Sequence, residues 1–236
     1  MRRFLCVLVG AVMPVVAVAG DLTVDTSDPL FMDGRGHVLS QTKLNYFETG
    51  LRLGQSLSIG FSDRFMMGAN VHYQQDFSGS EHGFSSVDIG GIYRIATADE
   101  NDNEMIYDVL AGLKLGGSTR VRTPDYADST YYIGMRFGQQ YNAVTLAGTI
   151  KSSWIFNKNH GIAFIDLVPA IYLRVHEDWR LGLNFALRKA TDRQYDEETV
   201  GAEIIREYGR TQYVAHFEYA FEDEDITAGM RVNILF

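Results

Sequence analysis

Apolar and polar residues alternate with a period of two along most of this chain. In the segment DWRLGLNFALRK, residues 178–189, every second position is apolar: Trp179, Leu181, Leu183, Phe185 and Leu187. This period places successive side chains on opposite faces of a β-strand. The alternation is clear in ten segments: residues 51–61, 66–73, 85–95, 107–116, 130–140, 143–156, 162–175, 178–189, 211–221 and 227–236. It is weaker at residues 38–48 and 199–209, which complete a set of twelve candidate strands.

The connections between these segments alternate in length. Short turns are expected at residues 62–64, 141–143, 176–178 and 208–210, with a somewhat longer one at 97–104. Longer loops are expected at residues 75–83, 117–129, 157–161, 192–198 and 222–225. The first turn, at residues 48–50, is tight and departs from this trend. An up-and-down antiparallel barrel, with tight turns at one rim and looser loops at the other, has this rhythm.

A soluble β-sandwich is the rival architecture, because its strands also alternate. The segments here run to about 10–12 residues, whereas soluble strands usually have about 5–6. Strand after strand carries an unbroken apolar face, and the opposite face holds Arg, Asp, Asn, Gly and Ser. A small soluble domain could hardly bury that much apolar surface, whereas a closed barrel in a membrane pairs every backbone group. We therefore predict an all-β, transmembrane, antiparallel up-and-down β-barrel over residues 37–236, with about 12 strands and 10 as the alternative.

The first 20 residues have the three-part layout of a secretory signal peptide. Arg2 and Arg3 precede an uncharged apolar run, and small residues end the segment at Gly20. An uncleaved membrane anchor is the alternative, because the run has marginal spanning length. Cleavage near Gly20 would remove Cys6, the only cysteine, and shift the formal net charge from −9 to about −11. So acidic a chain is not expected to bind nucleic acid.

The chain ends in MRVNILF, with apolar or aromatic residues at alternate positions counted back from Phe236. This ending resembles the C-terminal strand of bacterial outer-membrane β-barrel proteins, and the signal peptide, acidic balance and turn rhythm extend the resemblance. The resemblance implies a porin-like protein of the cell outer membrane, in contact with lipid and lipopolysaccharide. It also implies that Phe236 belongs to the signal read by the β-barrel assembly machinery. The resemblance is architectural and matches no subfamily, so it assigns no other residue a role.

The sequence offers little for catalysis or metal binding. No GxSxG, HExxH or glycine-rich phosphate loop occurs. His216 has Val214 and Glu218, rather than a serine, as neighbours on its face. The acidic run at residues 99–104 fits no calcium loop, and the run at 222–225 could bridge divalent cations to lipopolysaccharide. We therefore predict no enzyme, no cofactor and no metal site, with an outer-membrane enzyme as the less favoured alternative.

The polar face of the strands is predicted to line the lumen, and most of its charges are positive. It carries nine cations: Arg52, Arg94, Lys114, Arg136, Lys151, Arg174, Arg180, Arg188 and Arg231. Its anions are Asp88, Asp108, Asp166 and Glu218, and His216 faces the same way. Charges on the lipid face would cost roughly 2–4 kcal/mol each at mid-depth, so any barrel turns its charges inward. That argument does not dictate a positive excess.

Two functions are open at this point. A narrow lumen with a positive wall would let small, in particular anionic, solutes diffuse passively. Alternatively, Asp88, Arg136, Asp166 and Arg231 pair across the lumen and leave a non-conducting structural or adhesin-type barrel. Twelve strands lie between the filled and the open barrel sizes, so size does not decide. Residues 21–36 show no clear strand, and a periplasmic tail and a plug in the lumen both fit them.

Overall fold

The computed structural model describes residues 30–79, 82–84, 87–96, 105–115, 129–156, 161–222 and 224–236. Within these ranges the strands are β1 (Val38–Phe47), β2 (Gly50–Ser62), β3 (Phe65–Asp76), β4 (His82–Phe84), β5 (Val87–Ala96), β6 (Ile106–Leu115), β7 (Ser129–Tyr141), β8 (Val144–Phe156), β9 (Gly161–His176), β10 (Trp179–Ala190), β11 (Glu197–Tyr208), β12 (Thr211–Ala220) and β13 (Asp225–Leu235). A 3-10 helix, Arg193–Tyr195, lies between β10 and β11. No helix in the described ranges has the length and hydropathy needed to cross a membrane.

Twelve of these strands close into an antiparallel barrel. Each strand pairs with its neighbours in the order β2-β1-β13-β12-β11-β10-β9-β8-β7-β6-β5-β3, and β2 also pairs with β3. The first and last strands meet with Leu39 opposite Leu235, and backbone hydrogen bonds join Val38 and Phe236 in both directions at 3.2 and 2.8 Å. The short strand β4 pairs only with the end of β3, beyond the part of β3 that pairs with β5. The predicted twelve-stranded barrel is confirmed, including the two segments with weak alternation.

The two rims of the barrel differ in their connections. The rim that holds both ends of the barrel sequence, here called the terminal rim, has two-residue turns at residues 63–64, 142–143, 177–178 and 209–210. The opposite rim, here called the loop rim, has the tight turn at 48–49 and the longer connection at 191–196. The four predicted short turns are therefore present. The turn at 97–104 and most of the loops at 117–129 and 157–161 lie outside the described residues.

The burial pattern is the reverse of that in a soluble protein. Outward positions carry large apolar side chains that are exposed, such as Leu183 at 58% and Met230 at 65%. Inward positions include polar side chains with no exposed surface, such as Asp108 and Asn233. So extensive an apolar exterior suits contact with hydrocarbon rather than water. Phe236 is 41% exposed on this outward surface, as the alternation predicts.

Candidate functional site in the barrel lumen

Three charged residues on adjacent strands form one cluster of the inner wall, here called the β5–β7 triad: Arg94, Asp108 and Arg136. They face each other because Asp108 lies directly opposite both arginines in the strand register. The Asp108 carboxylate accepts hydrogen bonds from Arg94 Nε at 2.9 Å and from Arg136 Nε at 2.7 Å. Asp108 is fully buried, and each arginine side chain is 13% exposed. Two cations share one anion, so the triad carries a net positive charge.

A second cluster, here called the β8–β10 triad, repeats this arrangement with Lys151, Asp166 and Arg188. Asp166 again lies opposite both cations in the register. Its carboxylate is 3.2 Å from Lys151 Nζ and 2.7 Å from Arg188 Nε. Lys151 and Arg188 are 31% and 27% exposed, and the triad borders a cavity of about 210 Å³. This triad is therefore open to the lumen.

Other predicted wall residues form polar contacts with nearby strands. Arg180 Nε is 3.7 Å from Glu207 Oε1 on the adjacent strand. Arg231 Nη2 is 3.7 Å from Glu203 Oε2, across the intervening strand β12. Ion pairs at these distances link strands around the circumference of the barrel.

Arg52 and Asp88 also take part in hydrogen bonds along the wall. Arg52 Nη2 donates to Gln74 Oε1 at 3.1 Å on the next strand. The Asp88 carboxylate accepts from Asn70 Nδ2 at 3.2 Å and from the Tyr132 hydroxyl at 3.1 Å. These hydrogen bonds connect β5 with β3 and with β7.

The remaining predicted residues lie on three strands. Lys114 is half-buried on β6, and Glu218 is half-buried on β12. Arg174 is exposed near the terminal end of β9. His216 is 5% exposed on β12, and its Nε2 atom lies 3.1 Å from Asn45 Oδ1. This contact ties the imidazole to an amide of the wall rather than to a nucleophile.

The closed-barrel alternative requires Asp88, Arg136, Asp166 and Arg231 to pair with one another across the lumen. The ion pairs and carboxylate hydrogen bonds found for these four residues instead join neighbouring strands of the wall or strands separated by one strand, and Arg136 also contacts residues 31 and 32. Such bonds hold the wall together. They do not fill the space between opposite walls.

Glycines on neighbouring strands let large inward side chains lie flat on the wall. The Tyr132 ring covers Gly112 and Gly90, and the His72 ring covers Gly54, so that a Cβ atom at any of these glycines would collide with the ring. Two further pairs repeat the arrangement, His216 with Gly229 and Tyr172 with Gly182. Glycine at these positions therefore keeps bulky side chains out of the centre of the lumen.

Four charged residues of the inner surface escaped the sequence-based prediction: Lys43, Asp33, Glu203 and Glu207. Lys43 lies on β1 and the two glutamates on β11, the strands with weak alternation. The even spacing of Lys43 from the buried Leu39, and of the glutamates from the buried Ile205, could have placed them inward. Asp33 lies outside the strands, where no period gives a signal. Together they make the wall less positive than the sequence predicts.

Polar groups line a larger cavity of about 400 Å³ between the β5–β7 triad and strands β1–β3. Its polar lining includes Gln41, Ser56, Ser58, Asn70, Asp88 and Arg136. Amide, hydroxyl, carboxylate and guanidinium groups on one surface can replace part of the hydration shell of a polar solute. The cavity therefore has the chemistry that a stretch of a diffusion path requires.

Residues 30–37, here called the crossing segment, enter the lumen at the terminal rim. Leu30 is 2% exposed and Asp33 has no exposed surface. Phe31 packs against Leu39 and Leu235 at the seam of the barrel. Of the predicted N-terminal segment, residues 21–29 lie outside the described residues, and residues 30–36 lie against the inner wall.

Among the described residues, no group of three or more His, Cys, Asp or Glu side chains gathers into a metal site. The acidic run at residues 99–104 lies outside them. In the run at residues 222–225, Glu222 Oε2 accepts a hydrogen bond from the Glu198 backbone N–H at 2.7 Å. That carboxylate thus has a structural contact at the loop rim.

No protein-family model matches this sequence, and no curated protein is similar to it at a significant level. Solved structures are similar in fold. The KdgM porin in complex with disordered oligogalacturonate has a TM-score of 0.65 at 11% identity, over 83% of this chain and 98% of that chain. The NanC porin has a TM-score of 0.63 at 7% identity, over 84% and 98%. The COG4313 outer membrane channel from Pseudomonas putida F1 has a TM-score of 0.59 at 8% identity, over 93% and 100%.

Identities this low establish the fold and nothing finer. The chain has the closed twelve-stranded barrel of bacterial outer-membrane porins, as its C-terminal sequence predicts.

Proposed function

We propose that this barrel is a narrow channel of the outer membrane for passive diffusion of small solutes, with a preference for anions. The observation that carries the proposal is the course of the ion pairs, which follow the wall and leave cavities lined by both polar and apolar groups in the lumen. Porins with the same fold support it, and one of them was solved with an oligogalacturonate, an anionic oligomer. Twelve-stranded barrels leave only a limited width, so small solutes are favoured.

The preference for anions follows from cations that lack a carboxylate partner. Among the described residues, Lys43 and Lys114 form no ion pair within 4 Å. The β5–β7 triad adds a further positive charge, because it sets two cations against one carboxylate. In the β8–β10 triad, Arg188 is also 3.6 Å from the Glu197 carboxylate. Inside a narrow, low-dielectric tube such charges attract anions and repel cations more strongly than they would at an open surface.

The double variant Lys43→Glu with Lys114→Glu tests this preference. We expect its reversal potential in a KCl gradient across a planar bilayer to shift toward cation selectivity, because four units of charge change along the path. Lys189→Glu, on an outward and 52% exposed side chain at the loop rim, is the matched control and should leave the potential unchanged. Equal potentials for the double variant and the wild type would remove the two lysines from the selectivity mechanism.

Location in the outer membrane is part of the proposal, with lipid and lipopolysaccharide as the surrounding partners. The exposed apolar exterior supports it, as does the signal-peptide layout of residues 1–20.

We also propose that Phe236 is read by the β-barrel assembly machinery. Phe236→Ala should lower the amount of folded barrel in outer-membrane fractions without lowering folding yield into detergent micelles. A normal level in the membrane would refute that role.

A non-conducting structural barrel is the second candidate, favoured by the crossing segment in the terminal-rim mouth. It predicts no ion current through a correctly folded protein. An enzyme is not proposed, since the described charged residues form wall contacts rather than a nucleophile–base pair.

A further inference from the structure

The crossing segment is attached on one side to strand β2. The Gly36 N–H donates to the Gly60 carbonyl at 2.8 Å, and the Gly60 N–H donates to the His37 carbonyl at 3.0 Å. The Ser58 hydroxyl donates to Asp33 Oδ2 at 2.5 Å. The C-terminal end of the segment is therefore hydrogen-bonded to β2 much as a short additional strand would be.

The other end of the segment is attached to the β5–β7 triad. Arg94 Nη2 donates to the Leu30 carbonyl, and Arg136 Nη2 donates to the Phe31 carbonyl at 2.9 Å. Both arginines use Nε for Asp108, and Arg94 Nη2 also donates to Asp108 Oδ2 at 3.2 Å, so each guanidinium contacts both the wall and the segment. Three strands separate β2 from β7 in the ring, so the segment spans part of the mouth between them.

The wall has space shaped for this segment. A Cβ atom at Gly60 would collide with the carbonyl oxygens of Gly34 and Asp33. A Cβ atom at Gly138 would collide with the Leu30 side chain. Glycine at these two positions, on β2 and on β7, lets the segment lie close against both parts of the wall.

We propose that residues 30–36 are a displaceable gate: they narrow the terminal-rim mouth, and a carboxylate-bearing solute in the lumen releases them by taking the Nη2 donors of Arg94 and Arg136. The inference rests on the proposed function, because only a conducting barrel has a mouth to narrow.

The chemistry of the contacts favours exchange. The acceptors found for the arginines on the segment are neutral: the Leu30 and Phe31 carbonyls and the Met32 sulfur, which is 3.5 Å from Arg136 Nη2. A carboxylate forms charge-assisted hydrogen bonds to guanidinium that are about twice as strong as bonds between neutral groups. The segment's own carboxylate, on Asp33, is hydrogen-bonded to Ser58. A soluble carboxylate therefore competes with the weaker partner.

Single-channel conductance of two variants tests the gate. Gly60→Ala adds a Cβ atom whose nearest contacts are segment atoms, so it should displace the segment and leave the barrel wall in place. Ser58→Ala removes only the hydrogen bond to Asp33. Both should conduct more than the wild type in KCl, and added citrate should raise the conductance of the wild type toward theirs. Ser62→Ala is the matched control, because Ser62 is also on β2 but accepts a hydrogen bond from the Arg64 N–H at 3.3 Å and does not line the cavity of about 400 Å³.

Thiol labelling gives a second readout that does not depend on conduction. Met32→Cys, in a chain that also carries Cys6→Ser, is labelled with a membrane-impermeant maleimide. The Ser58→Ala background should label about tenfold faster, the effect of losing one hydrogen bond to a charged group. Citrate should speed labelling of the Met32→Cys protein relative to chloride at equal ionic strength.

The outcomes separate the two proposals. If the wild type conducts, but Ser58→Ala neither conducts more nor labels faster, the gate is refuted and the channel stands. If neither the wild type nor a folded Gly60→Ala variant conducts, the channel proposal fails. If Gly60→Ala does not fold, the comparison of Ser58→Ala with Ser62→Ala decides. Faster labelling by citrate that also occurs in a folded Arg94→Gln, Arg136→Gln double variant would contradict the exchange at the guanidinium groups.

Discussion

The β5–β7 triad and the β8–β10 triad are the same arrangement in two surroundings. Each places one aspartate opposite two cations on three adjacent strands. In the first, the aspartate is fully buried and the crossing segment lies over the arginines. In the second, the cations are 31% and 27% exposed beside a cavity of about 210 Å³. The same order of cation, aspartate and cation therefore binds the crossing segment in the first triad and borders an open cavity in the second.

What lies inside the lumen next to each triad, rather than the strand pattern, therefore determines the role of its charged residues. The arginines of the β5–β7 triad use hydrogen-bond donors on backbone carbonyls. The cations of the β8–β10 triad face solvent-accessible space instead. In the proposed gate and channel, the first triad controls access, whereas the second presents its charged groups to solutes in the lumen.

The largest expected effect is a loss of folding stability when the carboxylate that the two cations of a triad share is removed. Asp108→Asn leaves two nearly buried guanidinium groups without a counter-charge, which should lower the free energy of unfolding by about 3–5 kcal/mol. Asp166→Asn, at a more exposed site, should cost only about 1 kcal/mol. Urea unfolding of the refolded barrel in lipid vesicles measures both. Equal costs would mean that the two triads do not differ in burial as described.

A smaller expected effect is a pH dependence of the conductance, which arises from Asp33, the one carboxylate of the crossing segment. Burial raises the pKa of the Asp33 carboxyl, although the Ser58 hydroxyl and the nearby His37 and Arg136 act in the lowering direction. A raised pKa means that the docked segment binds the proton more tightly than the released one. Acidification from neutral pH through that raised pKa should therefore favour docking and lower the conductance.

Asp33→Asn separates this effect from titration of the wall. The variant should lose the part of the pH dependence that the wild type shows above the ordinary value of 3.8. The β8–β10 triad has the same residues in the variant and the wild type, so its contribution to the pH dependence cancels when the two pH profiles are compared. Identical pH profiles for the variant and the wild type would show that Asp33 does not couple pH to the gate.

Much of the fold could be predicted from the sequence because a barrel wall obeys a single period. Alternation predicted all twelve strands and the outward position of Phe236, since each strand repeats the same two-sided environment. It also placed the members of both triads on one face. It could not pair Asp108 with Arg94 and Arg136, because pairing depends on register between strands.

The contacts of the crossing segment could not be predicted from the alternation of apolar and polar residues. Its contacts come from backbone carbonyls of Leu30 and Phe31 and from glycines at positions 60 and 138, and none of these leaves a pattern of apolar and polar residues. Lys43 and Glu203 were missed for a different reason, because their strands alternate weakly. Their even spacing from a buried neighbour carries the missing signal.

The reversal potential of the refolded wild-type protein in a planar bilayer, under a KCl gradient, tests the central claim most directly. We predict discrete openings and a potential of the sign that marks preference for chloride. A folded barrel that carries no current, in the wild type and with the segment displaced by Gly60→Ala, would contradict the claim.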